Sequence, residues 1–113
     1  MSPAASFSLM ALEISHDQAL SLIRSRDKVA VFLHLPEDEL CTRALGGLSS
    51  CEDRLRGLGY QIVSLAVGPK SSSHEDLSCV RVPQLRFFVN GRLAHKSIGP
   101  IDDVSMDIIF RSI

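Results

Sequence analysis

The sequence predicts an α/β fold in which one mixed β-sheet carries helices on both faces. Nearly continuous apolar runs at Val29–Leu35 and Tyr60–Val67 flank a helical pattern, which favours two parallel strands joined by a right-handed crossover. The first run should be the central strand. Further along, the alternating run Gln84–Val89 meets Asn90-Gly91 and continues into Arg92–Ile98, which predicts an antiparallel hairpin with a type I′ turn.

The chain is predicted to enter this fold through a short strand and a short helix. Residues 1–6 are small and polar and favour a loose tail, whereas Phe7–Ile14 is a possible first strand. Ser15 and Gln18 have the spacing of a capping box. A helix is therefore predicted from His16 to about Ser25.

A longer helix is predicted between the two apolar runs. Pro36 precedes it, and the acids of Glu37–Glu39 suit the positive N-terminal end of a helix. The apolar residues that follow lie within about 140° of arc at 100° per residue, which predicts one buried stripe about five turns long. Its members are Leu40, Cys41, Ala44, Leu45, Leu48, Cys51, Leu55 and Leu58. Gly57 and Gly59 supply the C-terminal stop.

The remaining elements complete a single domain that spans residues 1–113. A loop at residues 68–73 leads into a short helix that ends near Cys79, with Ser72 and Glu75 as its cap. After the hairpin, Ile101–Ile113 has a helical pattern with apolar residues on more than one face. The predicted order is β, α, β, α, β, α, β, β, α. Apolar surface left on the last helix makes a homodimer possible.

Composition excludes several classes of function. Twelve basic and 13 acidic residues give a net charge of −1, so neither nucleic acid nor an anionic membrane is expected as a partner. Cysteines at positions 41, 51 and 79 and four histidines show no metal spacing, and we expect no metal or other cofactor. Free cysteines and the lack of a membrane-length apolar run predict a cytoplasmic protein.

The stretch from Val82 to Gly99 resembles the C-terminal half of the thioredoxin family. The pattern begins with an apolar residue and Pro83 and continues with Leu85, Phe87-Phe88 and Asn90-Gly91. A predicted strand and Gly99 complete it. The resemblance covers Leu12–Ile113 and implies a thioredoxin-like fold. It also implies that Pro83 follows a cis peptide bond and faces the active site.

The same resemblance implies a degenerate active site. An ungapped alignment on Val29–Leu35 places Asp38 at the first cysteine of the family's Cys-x-x-Cys motif and Cys41 at the second. Glu37 replaces the family's tryptophan, and Phe32 replaces its buried carboxylate. Dithiol exchange needs both an attacking and a resolving thiol, so half of the cycle is missing.

Neither of the other cysteines is an obvious replacement. On one continuous helix, Cys41 and Cys51 would be about 15 Å apart, whereas a disulfide needs Cα atoms roughly 4.4 to 6.8 Å apart. Cys79 comes just before the Pro83 loop and is a more plausible partner. Both Cys51 and Cys79 also suit the role of small core residues.

Two functions follow from this pattern. The first is a non-catalytic, chaperone-like module that binds a protein or an extended peptide in a groove. Its predicted groove residues are Pro36, Glu37, Asp38, Cys41, Arg81, Val82 and Pro83. The alternative is a monothiol oxidoreductase or redox sensor with Cys41 as the catalytic residue, although the nearby acids should raise the pKa of that thiol.

Two further residues are singled out by their position. His34 ends the central strand and is the histidine predicted to lie near the groove. Arg86 stands where the family has an apolar residue. It either reaches solvent or pairs with an acid such as Asp76 or Asp103.

Overall fold

Four strands and four helices follow one another in the described parts of the chain. The computed structural model describes residues 14–35, 38–66, 82–99 and 101–112. The helices are α1 (His16–Ser25), α2 (Glu39–Ser50), α3 (Glu52–Gly57) and α4 (Asp103–Ser112). The strands are β1 (Lys28–His34), β2 (Gln61–Ala66), β3 (Gln84–Val89) and β4 (Arg92–Ile98). The predicted first strand, apart from Ile14, and the predicted short helix near Cys79 lie outside the described residues.

The sheet is mixed, as the sequence predicts. Its order is β2-β1-β3-β4, with β1 parallel to β2 and antiparallel to β3, and with β3 antiparallel to β4. Central placement of β1 is confirmed, and its five inner residues are buried. No helix in the described parts of the chain is both long enough and apolar enough to cross a membrane.

Alternating side chains of β1 pack into two apolar cores, one on each face of the sheet. Val29, Val31 and Leu33 pack with Ala19 and Ile23 of α1 on one face of the sheet. On the other face, Ala30 and Phe32 pack with residues from α2, α3 and α4, among them Ala44, Leu48, Leu55, Met106 and Ile109. Helices therefore cover both faces, which confirms the predicted layers.

Local sequence signals set the start of α1 and the turn of the hairpin. The Ser15 hydroxyl accepts a hydrogen bond from the Gln18 N–H, and the Gln18 side chain accepts one from the Ser15 N–H. Asn90 and Gly91 have φ angles of 52° and 84°, the positive values that a type I′ turn requires. Both predictions are confirmed.

The prediction of a single helix after Pro36 is wrong in one respect, because the helix breaks at Cys51. There the Cys51 N–H donates to the Leu48 carbonyl three residues back, at 3.0 Å, and ψ is 3°. Tightening of this last turn ends α2 and lets the chain change direction into α3. Gly46 and Gly47 do not interrupt the helix, since both lie within α2.

The apolar stripe is also narrower than predicted. Leu40 is 58% exposed and Leu58 is 41% exposed, whereas Cys41, Ala44, Leu48 and Leu55 are buried. At 100° per residue, Leu40 and Leu58 share one edge of the predicted arc. Only the middle of the arc faces the core.

The last helix docks on the sheet through one side. Met106 and Ile109 of α4 are buried, whereas Val104 and Ile108 are 72% and 58% exposed. Ahead of α4, the Asp102 carboxylate accepts a hydrogen bond from the Ser105 N–H at 2.9 Å. Hydrogen bonds from Ser105 hold the pKa of that carboxyl below its ordinary value.

The backbone of α2 approaches the start of α4 closely at one glycine. A Cβ added at Gly47 would lie 1.8 Å from the Ile101 carbonyl oxygen, whereas one added at Gly46 would meet nothing within 4 Å. We therefore expect Gly47→Ala to lower the free energy of unfolding by about 2 kcal/mol, because backbone must move. Urea denaturation followed by circular dichroism measures this change.

Gly46→Ala is the matched control. It should raise the free energy of unfolding by about 0.5 to 1 kcal/mol, since alanine restricts the unfolded chain and fits an open helical position. Equal effects of the two substitutions would contradict the close approach of α2 to Ile101.

Candidate functional site

The candidate site lies where β1 ends and α2 begins. Asp38 is the N-cap of α2, with extended backbone angles, and its carboxylate accepts a hydrogen bond from the Cys41 N–H at 3.0 Å. Its main chain also holds the turn, because the Asp38 N–H donates to the Leu35 carbonyl and the Asp38 carbonyl accepts from Thr42. Asp38 thus acts as a helix cap at the position where the resemblance implies a nucleophilic cysteine.

Cys41 is buried behind this cap. Its side chain is 3% exposed, and its sulfur accepts a hydrogen bond from the Leu35 N–H at 3.3 Å. Burial raises the pKa of the Cys41 thiol, and the hydrogen bond to Asp38 and its charge raise it further. The Leu35 N–H acts in the opposite direction but does not outweigh burial. The thiol is therefore held protonated near neutral pH.

No disulfide bond joins Cys41 and Cys51. The break in the helix at Cys51 does not alter this prediction. Cys79, the other partner considered from the sequence, lies outside the described residues. Within the described residues, no group of three or more histidine, cysteine or acidic side chains is placed to hold a metal ion.

A groove of about 350 Å³ opens next to the buried thiol. Its described lining comes from the first half of α2, from the Pro83 loop and from the turn before α4. The residues are Leu40, Arg43, Ala44, Val82, Pro83, Gly99, Ile101 and Asp102. Within the groove, the Gly99 N–H donates to the Pro83 carbonyl at 2.9 Å, and the Val82–Pro83 peptide bond is cis.

Only part of the predicted groove is brought together here. Val82 and Pro83 line it, whereas Asp38 and Cys41 are not among its lining residues. Asp38 is half-buried and Cys41 lies beneath the surface. The other predicted groove residues, Pro36, Glu37 and Arg81, lie outside the described residues.

The sequence pattern does not identify two of the apolar residues that line the groove. The helical pattern predicts Leu40 in the buried stripe and Ile101 at the start of the last helix, yet both line the groove. The edge position of Leu40 on the helical arc was a usable signal of its exposure. No local signal marks Ile101, because it depends on the close approach of Gly47 to its backbone.

Charged groups stand at the border of the groove. Arg43 forms an exposed ion pair with Glu39 at 2.9 Å, a spacing of four residues along α2. Such a pair contributes little to stability. Asp102 adds a carboxylate that is engaged in capping α4. The groove therefore offers an apolar surface with both signs of charge beside it.

His34 and Phe32 lie along the same strand, close to the site. Their rings stack with centroids 5.4 Å apart and an angle of 9° between the planes. Phe32 is 1% exposed and belongs to the core on the α2 face. At this position the side chain is a packing element with no ionisable group, so it transfers no proton.

Arg86 is half-buried on β3. Its Nε donates a hydrogen bond to the Gln84 side chain. Of the two acids considered from the sequence, Asp76 lies outside the described residues, and so does the side chain of Asp103.

No protein-family model and no curated protein sequence matches the chain. Solved structures do match it. Mitochondrial thioredoxin 3 of Saccharomyces cerevisiae, in its oxidized form, superposes with a TM-score of 0.76 at 14% identity. The match covers 96% of this chain and 99% of the yeast chain.

Two further thioredoxins give the same result. The thioredoxin of Malassezia sympodialis has a TM-score of 0.69 at 16% identity, covering 87% of this chain and 85% of its own. That of Plasmodium falciparum has a TM-score of 0.66 at 18% identity, covering 88% and 95%. At this level of sequence identity, the similarity shows only that the backbone fold is shared. On that basis, the chain has the thioredoxin fold.

Proposed function

We propose that this chain is a peptide-binding module that uses the groove beside Pro83 and does not carry out dithiol–disulfide exchange. One observation carries the proposal: an open, largely apolar groove lies next to a thiol that is buried and held protonated. The groove offers a surface for recognition, whereas Cys41 does not offer an accessible thiolate.

The loss of dithiol chemistry is supported by what the remaining side chains do. The Asp38 carboxylate is a hydrogen-bond acceptor for the backbone of α2, and a carboxylate cannot attack a disulfide. Cys41 belongs to the buried side of the same helix. The monothiol alternative would require this sulfur to become exposed and ionised, which both burial and the Asp38 charge oppose.

The size and lining of the groove indicate the kind of partner. About 350 Å³ corresponds to roughly a dozen water volumes, enough for one or two side chains of a peptide. Leu40, Val82 and Ile101 present apolar surface, so the partner should place an apolar side chain there. An extended segment suits an opening formed by a loop and a helix start.

Leu40→Ser tests the recognition surface. Peptides selected from a random library by the unmodified protein should share an apolar residue. Leu40→Ser should weaken their binding about tenfold, because it removes apolar contact area from the groove. Titration calorimetry with two or three selected peptides measures the change.

Ile108→Ser is the matched control, since Ile108 is also apolar and 58% exposed but is not a lining residue of the groove. It should leave the affinity unchanged. Failure to select any peptide, or equal losses in the two variants, would contradict the proposed groove.

The reactivity of Cys41 tests the absence of redox chemistry. In a Cys51→Ser, Cys79→Ser background, Cys41 is the sole thiol. Its labelling by a thiol-selective reagent should be slow at neutral pH and still rising above about pH 8.5, because its pKa is raised from the ordinary value. Unfolding in urea should restore the rate of a free thiol.

Reduction of a model disulfide substrate completes this test. The unmodified protein should show no turnover above the reaction without protein. Rapid labelling near pH 6 together with turnover would establish the monothiol alternative and overturn the proposal of a non-catalytic module.

A further inference from the structure

A second cavity lies on the other side of the sheet, between α1 and the β3–β4 hairpin. Its volume is about 310 Å³. Leu20, Ile23 and Phe88 line it, and all three belong to the apolar core on the α1 face. The groove beside Pro83 instead draws Ala44 and Ile101 from the core on the α2 face. The cavity is therefore separate from the proposed peptide groove.

The floor of this cavity is apolar. Ile23 is 6% exposed, and Leu20 and Phe88 are half-buried. Leu93 extends the floor along β4 and remains 47% exposed. Phe88 and Leu93 are cross-strand partners, so their side chains leave the sheet on the same face. The floor is thus continuous from the helix to the edge strand.

Positively charged side chains lie beside this apolar floor. Arg24 lines the cavity from the last turn of α1, and Arg86 lines it from β3. The Arg86 side chain is oriented by its hydrogen bond to Gln84, which is 2% exposed. Lys96 is the cross-strand partner of Arg86 and projects from the same face of the sheet. Two arginines therefore line the apolar depression, on a face of the sheet that also carries Lys96.

We propose that this cavity binds a small aliphatic carboxylate. A guanidinium binds a carboxylate through paired, charge-assisted hydrogen bonds, and the apolar floor accepts a hydrocarbon chain. A volume of about 310 Å³ equals roughly ten water volumes, so the ligand has roughly ten non-hydrogen atoms. An uncharged chain would contact only the apolar floor, and a short carboxylate would contact only the arginines.

Octanoate is the probe of this site, since it combines one carboxylate with a chain of suitable length. We expect a dissociation constant in the millimolar range, as is usual for so small a ligand. Amide chemical-shift changes in the full chain should map to α1 and to the β3–β4 hairpin. Octan-1-ol and acetate, which lack the charge and the chain respectively, should each bind much more weakly.

Arg24→Gln should weaken octanoate binding about fivefold, in line with the loss of one exposed charge pair. Arg26→Gln is the matched control, because Arg26 is also exposed and lies just beyond α1 but does not line the cavity. Both substitutions are at exposed positions and should leave folding unchanged.

The outcomes are decisive in both directions. Binding of octan-1-ol as tight as that of octanoate would show that the cations contribute nothing. Binding of acetate as tight as that of octanoate would show that the apolar floor contributes nothing. Either result overturns the proposal, as would shift changes confined to the groove beside Pro83 or equal effects of the two arginine variants.

Discussion

The burial of β1 on both faces is the constraint on which the rest of the structure depends. Residues 29–33 pair with β2 on one edge and with β3 on the other, so their backbone hydrogen bonds are met within the sheet. Their side chains alternate between two apolar cores. Because these side chains are apolar, helices must cover both faces of the sheet to exclude water. The C-terminal end of β1 then fixes the position at which α2 begins.

The same constraint decides the chemistry at the start of α2. Leu35, directly after β1, donates its N–H to the sulfur of Cys41, and Asp38 caps the helix between them. A helix N-terminus favours a thiolate, but burial of the sulfur is the largest influence on its pKa and favours the neutral thiol. A residue that packs against the end of the central strand therefore stabilises the fold at the expense of reactivity.

Elements with strong local signals were predictable from the sequence, and features set by tertiary contact were not. The capping box at Ser15, the continuous apolar run of β1 and the Asn90-Gly91 turn each act within a few residues, and each is found as expected. The break at Cys51 was missed because apolar spacing continues through it. The approach of Gly47 to Ile101 joins residues far apart in the chain, so the contribution of Ile101 to the groove has no local signal.

Strand β3 connects the two proposed sites. Pro83 lies directly before it and lines the groove, whereas Arg86 and Phe88 lie within it and line the cavity on the α1 face. The strand is paired on both edges, to β1 and to β4, which limits how far it moves when either site is occupied. No described residue lines both sites, and effects at positions without shared contacts are usually additive. The proposed peptide groove and the proposed carboxylate site can therefore be tested independently, and the failure of one proposal leaves the argument for the other unchanged.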